Sequence, residues 1–256
     1  MKYAYGSDTG LCREMNEDCV GIFKIANTFT VALLLDGMGG ANGGQIASST
    51  AYEAMMTELE LRLSFLLCSG EPIQQKTIGN ELKQACEAVN SIIWHKAKHA
   101  SDLHGMGTTM VAAVCYGDRC CILNVGDSRC YYVSDGQISQ ITKDQSYFQY
   151  LMDKDALSDD QIENFTEKNI IMSAVGTEET VSSDLYYLKF QGSSDEYLLL
   201  SSDGLHDMIS DEQIKHIVSE SKYSLKDKVE KLIENANLAG GDDNISVAIL
   251  CTGKAG

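Results

Sequence analysis

Four aspartates stand where apolar segments meet glycine-rich turns. They are Asp36 in L-L-L-D-G, Asp127 in L-N-V-G-D-S-R, Asp203 in L-L-L-S-S-D-G and Asp243 in G-G-D-D-N-I. Glycine lets the backbone turn sharply and approach a ligand closely. If the ends of these apolar segments converge in the fold, four carboxylates meet in one place.

Such a cluster of carboxylates requires compensation. Like charges a few ångströms apart raise one another's pKa or demand a counter-cation. Hard oxygen ligands select Mg²⁺, Mn²⁺ or Ca²⁺ over softer metals. Any single Asp-Gly pair is better explained as an ordinary turn, but four at the ends of apolar segments favour a metal site.

One basic residue stands out near the amino terminus. The segment S-D-T-G-L-C-R-E-M-N-E-D at 7–18 places Arg13 among further acidic residues. A guanidinium beside a dication site is suited to bidentate contact with a substrate phosphate. Taken alone, Arg13 is better explained by a surface salt bridge.

The elements that must position these residues follow from hydrophobic patterning. Strands are predicted at 19–25, 28–35, 110–116, 120–125, 130–133, 138–141, 184–190, 196–201 and 245–251. Gly117-Asp118 and Asp135-Gly136 suit tight hairpin turns. Helices are predicted around 51–66 and 78–100, where apolar residues recur at three- and four-residue steps, and at 225–238.

Consecutive strands with helices grouped between them predict an α+β layered fold, because a doubly wound sheet would alternate strand and helix throughout. The chain has one proline, Pro72, and no linker-like segment. We therefore expect a single domain over 1–256. Residues 144–180 are polar and acidic, which indicates a flap-like surface excursion.

Composition limits the classes of partner. The 256 residues carry 37 Asp and Glu against 20 Lys and Arg, for a net charge of −17. This acidity argues against binding to nucleic acid or to an anionic membrane surface. It can attract cations or basic partners, and solubility alone would explain it equally well.

The nine cysteines show no C-x-x-C spacing, so buried reduced thiols are expected rather than redox or metal chemistry. The sequence shows no signal peptide, and its apolar runs are far shorter than a membrane span. Together these features predict a cytoplasmic protein.

The order of motifs resembles the metal-dependent Ser/Thr protein phosphatases of the type 2C (PPM) family, in their short bacterial form. The motifs are S-D-x-G-x-x-R-x-x-N-E-D at 7–18, D-G-M-G-G at 36–40, M-G-T-T at 106–109, G-D-S-R at 126–129, S-D-G-L at 202–205 and G-G-D-D-N at 240–244. Each is weak alone, but six in order span nearly the whole chain. The resemblance implies a four-layer α-β-β-α sandwich of two antiparallel sheets flanked by helix pairs.

The resemblance also implies roles for individual residues. Two Mn²⁺ or Mg²⁺ ions would be bridged by Asp36 and held by the Gly37 carbonyl, Asp203 and Asp243. A third, weaker ion would take Asp127 and Asp203. Arg13 would bind the substrate phosphate. The supporting residues around the ions are expected to be Glu17, Asp18 and Asn244, and 107–109 is expected to support the sheet near the site.

By this resemblance, a water bridging the ions attacks the phosphorus of phosphoserine or phosphothreonine. Two features depart from the family pattern, Met38 and the excursion. Met38 replaces a histidine proposed as general acid in many eukaryotic members, and methionine cannot donate a proton. His206 is interpreted as a surface or packing residue. The excursion reads N-F-T-E-K-N at 164–169, without the His-Pro and Arg often found there.

The leading hypothesis is a protein phosphatase that opposes a bacterial Ser/Thr kinase and acts as a monomer. One alternative is a phosphatase of small phosphomonoesters or of a phosphorylated regulator, since the same core would serve both. The other is a non-catalytic metal-binding module. That module would be expected to lack a ligand, whereas all of the implied ligands are present.

Overall fold

The computed structural model of the chain describes residues 1–39, 43–158, 161–162, 165, 167, 169–192 and 196–252. The strands are β1 Lys2–Asp8, β2 Asp18–Ile25, β3 Phe29–Met38, β4 Gly107–Thr108, β5 Met110–Tyr116, β6 Arg119–Val125, β7 Arg129–Ser134, β8 Gln137–Gln140, β9 Asp184–Lys189, β10 Tyr197–Ser201 and β11 Ile245–Cys251. The helices are α1 Gly43–Cys68, α2 Gln75–His99, α3 Tyr147–Asp153, α4 Asp203–His206, α5 Asp211–Ser219 and α6 Leu225–Leu238, with a 3₁₀ turn at Ser101–Leu103.

The strands form two antiparallel sheets. One has the order β1-β11-β10-β7-β8, and the other has the order β2-β3-β5-β6-β9 with β4 paired to β3. Helices α1 and α2 cover the outer face of the second sheet, and α5 and α6 cover that of the first. The predicted four-layer α-β-β-α sandwich is confirmed.

The packing of strand β3 on both faces explains why its sequence is continuously apolar. Side chains of a strand alternate between its two faces. Val31, Leu33 and Leu35 pack against the α1/α2 layer, whereas Ala32 and Leu34 face the opposite sheet. Both faces are therefore covered, and the strand carries no solvent-facing polar row.

The two long helices, which were predicted from apolar spacing, run antiparallel. Arg62 of α1 contacts Glu81 of α2 at 3.2 Å, and near the other ends Lys96 donates a hydrogen bond to Thr50 at 3.1 Å. The predicted hairpins also form. Asp135 and Gly136 both have positive φ, 51° and 69°, between β7 and β8.

Strand β1 and helices α4 and α5 are among the elements that were not predicted from the sequence. Strand β1 pairs along β11 although most of its residues are exposed, because a sheet edge needs little apolar surface. Helix α5 begins with a capping box between Ser210 and Gln213, a start signal that the sequence carries. Helix α4 is a single turn directly after β10.

The segment 144–180 is anchored at its base. Isolated bridges join Ser146 to Ile171 and Thr108 to Val175. Residues 159–160, 163–164, 166 and 168 of this segment, and Gly40 of D-G-M-G-G, lie outside the described residues. Among the residues that are described, no helix has the length and apolar character needed to cross a membrane.

Candidate active site

A pocket of about 320 Å³ lies where the strand ends of both sheets meet. It is lined by eight of the nine predicted site residues: Arg13, Glu17, Asp36, Gly37, Asp127, Asp203, Asp243 and Asn244. The ninth, Asp18, lies on β2 directly across from Asp36 of β3. Strand pairing within each sheet and the packing of the two sheets therefore bring together carboxylates that are far apart in sequence.

The M-G-T-T motif holds the backbone of Asp36. Thr109 N–H and the Thr108 hydroxyl both donate to the Asp36 carbonyl, at 2.8 and 2.9 Å. Asp36 N–H donates to the Thr109 hydroxyl at 3.0 Å, and that hydroxyl is bonded to Ser128 at 2.7 Å. With its backbone bonded in this way, Asp36 keeps its carboxylate for the pocket.

Asn244 ties the Arg13 loop to the site. Its side-chain amide donates to the carbonyls of Thr9 and Met15, both at 2.9 Å, and its oxygen accepts Glu17 N–H at 2.8 Å. Its own backbone N–H donates to Asp243 Oδ1 at 2.8 Å. One residue thus orders both the loop and a predicted metal ligand.

Arg13 forms the salt bridge that was the simpler interpretation of its sequence. Its guanidinium Nη2 lies 2.7 Å from Asp243 Oδ2, and the arginine side chain remains half exposed. The Asp243 carboxylate also contributes most to raising the pKa of Arg13. Arg13 is the only Lys or Arg among the described residues that line this pocket.

Gly37 allows a backbone approach that no other residue permits. A Cβ at this position would stand 2.2 Å from the Gly44 carbonyl oxygen and 2.6 Å from that of Glu17. The strand β3, the start of α1 and the Glu17 loop therefore converge on Gly37, which gives a physical reason for glycine after Asp36.

Burial and mutual repulsion raise the proton affinity of the carboxylates. Burial raises the pKa of Asp36 well above its usual value, and the neighbouring charges of Asp18 and Asp203 raise it further. The pKa of Asp127 rises to about 7, chiefly through burial and then through Asp203. Burial also raises the pKa of Asp203, with Asp243 adding to the effect.

The donor set fits divalent cations. Asp18 Oδ1 and Asp203 Oδ1 are buried without a hydrogen-bond partner among the described residues. One guanidinium cannot balance the five carboxylates that line the pocket, and all of these donors are hard oxygens. No three described His, Cys, Asp or Glu side chains already have metal-site spacing. Both Asp243 oxygens are engaged, by Arg13 and by Asn244 N–H.

A second cavity of about 460 Å³ adjoins the first and shares Asp127, Asn169 and Asp203 with it. It adds residues that the sequence did not single out. Arg129 pairs with Asp144 at 2.7 Å in its wall. Asp207 also lines this cavity and raises the pKa of Asp203.

Ser202 and His206, behind the pocket, bear on the expected roles of Asp18 and of His206 itself. The Ser202 hydroxyl donates to Asp18 Oδ2 at 2.8 Å, a contact that only pairing across the sheets could reveal. His206 lines the second cavity, and its Nδ1 lies 3.0 Å from the Ser201 hydroxyl. Burial, followed by the charge of Arg129, lowers the pKa of His206 well below its usual value.

Comparison with known proteins identifies the family to which this fold and pocket belong. The family model for protein phosphatase 2C matches residues 13–243, which include every predicted ligand. The chain belongs to the protein phosphatase 2C family. Within this phosphatase 2C chain the described pocket coincides with the family motifs.

Individual relatives cover the phosphatase 2C chain almost completely. It is 34% identical over 250 residues to the serine/threonine phosphatase stp of Listeria welshimeri, covering 98% of this chain and 95% of the relative. It is 30% identical to the serine/threonine phosphatase Stp1 of Staphylococcus aureus, whose crystal structure superposes with a TM-score of 0.87 over 98% of this chain and 94% of that one.

A third relative bears on metals. The catalytic domain of the serine/threonine protein phosphatase PstP, solved in complex with two manganese ions, is 32% identical and has a TM-score of 0.79, covering 97% of this chain and 96% of that one. The proteins of this family are metal-dependent, and the hard oxygen donors of the pocket described above agree with that property.

Proposed function

We propose that the chain hydrolyses phosphoserine and phosphothreonine on proteins in a reaction that requires divalent cations. The observation that carries this proposal is the convergence of Asp36, Asp127, Asp203 and Asp243 in one pocket with a single guanidinium, Arg13. The family and its named Ser/Thr phosphatases supply the reaction class. The chain is accordingly an enzyme of the protein-serine/threonine phosphatase type.

Two Mn²⁺ or Mg²⁺ ions would be held by Asp36, the Gly37 carbonyl, Asp203 and Asp243. A third, weaker ion would be held by Asp127 and Asp203. When bound, the ions supply positive charge that acidifies a water molecule and stabilises charge on the transferring phosphoryl group. The two manganese ions of the related PstP catalytic domain support the first pair.

The chain's own residues bind and orient the substrate. Arg13 is positioned to exchange Asp243 for a phosphate, because its pair with Asp243 is exposed and such pairs contribute little stability. A guanidinium binds two phosphate oxygens in a fixed geometry. The same exchange frees Asp243 Oδ2 to act as a ligand, so substrate binding and cation binding both favour separation of the pair.

The supporting residues hold this arrangement in place. Asn244 and Glu17 N–H position the loop of Arg13, and Ser202 orients Asp18 behind Asp36. Met38 lines the pocket and its thioether cannot donate a proton to the leaving hydroxyl. The leaving group must therefore take its proton from water in the site or from a group other than the side chain at position 38.

We further propose that 1–256 act as one catalytic domain in which 144–180 form a flap beside the pocket. Asn169 and Ile171 of this segment line the pocket. The proposed substrates are proteins phosphorylated by a bacterial Ser/Thr kinase. We propose that the enzyme acts on them as a monomer in the cytoplasm. The nine free cysteines support a reducing compartment.

The deciding experiment is release of phosphate from a phosphothreonine peptide with Mn²⁺, with Mg²⁺ and with EDTA, beside p-nitrophenyl phosphate. We expect metal-dependent release that EDTA stops, with a preference for the peptide. A preference for p-nitrophenyl phosphate would instead support an enzyme for small phosphomonoesters. A folded protein that releases nothing with any metal would support a non-catalytic module.

The number of ions is testable separately. Calorimetric titration of the EDTA-treated and dialysed protein with Mn²⁺ should resolve two tighter sites and one weaker site. Asp127→Ala should remove only the weaker one. A variant that keeps all three sites would contradict the assignment of Asp127.

A further inference from the structure

An open groove, separate from the two cavities described above, adjoins the loop that carries Arg13. It has a volume of about 580 Å³ and is formed by the end of β1, the loop after it and helix α6. Its lining includes Asp8, Leu11, Glu230, Ile233, Glu234 and Leu238. None of these residues has a role in the phosphatase reaction proposed above.

The groove presents aliphatic surface to solvent. Leu11 is 70% exposed and Leu238 is 80% exposed, and both line this one groove together with Ile233. A single exposed leucine on a protein surface is ordinary. Large aliphatic side chains that share a concave surface with a polar rim are characteristic of a binding site.

The charge of the groove is negative. Asp8, Glu230 and Glu234 line it, and no Lys or Arg lines it among the described residues. Glu230 and Glu234 have lysine partners along α6, Lys226 at 3.4 Å and Lys231 at 3.8 Å. Such exposed pairs within a helix are weak and can be exchanged for a basic group of a ligand.

The groove is coupled to the active site by a short, tied loop. Leu11 lines the groove and Arg13 lines the active-site pocket. The N–H groups of Leu11 and Cys12 both donate to the Gly241 carbonyl, at 2.8 and 3.2 Å. Gly241 lies two residues before Asp243. A peptide whose phosphate contacts Arg13 can therefore extend its flanking residues into the groove.

We propose that this groove binds the segment flanking the phosphorylated residue of a protein substrate. It selects a segment that combines a large aliphatic residue with Lys or Arg, because the groove offers aliphatic surface within an acidic rim. The inference rests on the proposed phosphatase function and names the class of substrate for it.

The test compares phosphothreonine peptides that share a core and differ in the flank. One flank carries Leu with two Arg, a second replaces Leu by Ala, and a third replaces Arg by Glu, each placed before or after the phosphothreonine. With Mn²⁺, we expect kcat/KM to favour the Leu-Arg flank about tenfold on one side, mainly through KM.

Variants then locate the preference. Leu238→Ser and Glu234→Lys should reduce the preference to within about twofold, while hydrolysis of p-nitrophenyl phosphate stays unchanged. Matched controls on α1 are Leu61→Ser, at a leucine that is 69% exposed, and Glu60→Lys, at an exposed glutamate. Both controls should retain the full preference.

The outcomes separate this inference from the function on which it rests. Equal kcat/KM for all flanks, with clear metal-dependent release, would overturn the groove and leave the phosphatase intact. A preference that survives both groove variants would assign selection to another surface and also overturn it. No release from any peptide or from p-nitrophenyl phosphate would overturn the phosphatase function itself.

Discussion

Strand β10 carries a buried carboxylate at each end, and the two are treated in opposite ways. Glu196 precedes the strand and accepts hydrogen bonds from Gln191 N–H at 2.6 Å, from Gly192 N–H at 2.7 Å and from the hydroxyls of Tyr132 and Thr252. Burial alone would raise the pKa of Glu196, but these bonds outweigh it and lower the pKa.

Asp203 follows the same strand and lies among other carboxylates, with the Gly204 N–H and the Asp36 side chain as hydrogen-bond partners that lower its pKa. Its Oδ1 is buried without a partner among the described residues. Burial raises its pKa, and the charges of Asp243 and Asp207 raise it further. Glu196 thus receives its donors from the chain itself, whereas the unpartnered oxygen of Asp203 is available to the cation proposed above.

Asp36→Asn, in the same carboxylate cluster as Asp203, gives the largest expected effect. Removing one charge from the cation site should lower kcat/KM about a thousandfold or more. The same change removes repulsion among buried carboxylates, so the EDTA-treated variant should melt about 2–4 °C above the EDTA-treated parent. Steady-state kinetics and calorimetric melting measure the two effects.

The test depends on activity and melting temperature changing in opposite directions. A parallel loss of activity and of melting temperature would place Asp36 in the same class as Glu196 and break the comparison. Asp118→Asn, at an exposed turn residue in the other hairpin, serves as the control and should change neither quantity.

Glu196→Gln tests the carboxylate that precedes β10 and is satisfied by donors of the chain. The amide would turn a donor toward N–H groups that now have an acceptor, so the free energy of unfolding should fall by about 2 kcal/mol. The kcat of the folded enzyme should be preserved, because Glu196 lies at the opposite end of β10 from Asp203. Urea unfolding and kinetics below the transition provide the measurement.

Tyr132→Phe is the graded control, since it removes one donor and keeps the carboxylate, and it should cost about 1 kcal/mol. If Glu196→Gln lowered kcat while stability stayed constant, the separation of roles along β10 would be refuted.

Arg13→Ala has a smaller expected effect. Loss of the phosphate contact should raise KM for a phosphothreonine peptide about tenfold with little change in kcat. Stability should change by less than about 1 kcal/mol, because the Arg13–Asp243 pair is exposed. Arg13→Lys should restore only part of the affinity, since lysine lacks the bidentate geometry. A change in stability alone would reduce Arg13 to a salt-bridge residue.

The pH dependence of the EDTA-treated protein gives the smallest effect. The pKa of Asp127 rises in the fold from its ordinary value of 3.8 to about 7. The folded state therefore binds more protons than the unfolded state between these values. The stability contributed by the protonated form is complete below the ordinary value and is lost as pH rises through about 7.

Between pH 6 and pH 8 this loss should be about 1 kcal/mol, read from urea midpoints. Asp127→Asn should remove this part of the slope and leave the part that comes from Asp36 and Asp203, whose pKa values are also raised. Saturating Mn²⁺ should reverse the slope. Glu196 has the opposite sign, because the pKa of Glu196 is lowered from 4.5, and its contribution is lost only in acid. A flat profile in the EDTA-treated parent would contradict the raised pKa of Asp127.

Much of the fold was predictable because its signals are local. Strand β3 follows from its aliphatic run, the β7–β8 turn from Asp135-Gly136, and helix α2 from apolar spacing, with boundaries within a few residues of the structure. Strand β1 was not predictable in the same way, because its identity as a strand comes from pairing with β11 rather than from its own composition.

The same division applies to the site. The sequence by itself determined which residues could form it, because aspartates beside glycines at strand ends are local features, and it determined the family through the order of its motifs. Tertiary structure alone decided that Asp18 stands across from Asp36, that Arg13 is engaged by Asp243, and that Glu196 is fully bonded while Asp203 is not. The physical reason is that pKa, charge balance and hydrogen-bond satisfaction depend on neighbours in space. The fold supplies such neighbours from distant parts of the chain, as in the Arg13–Asp243 contact across 230 residues.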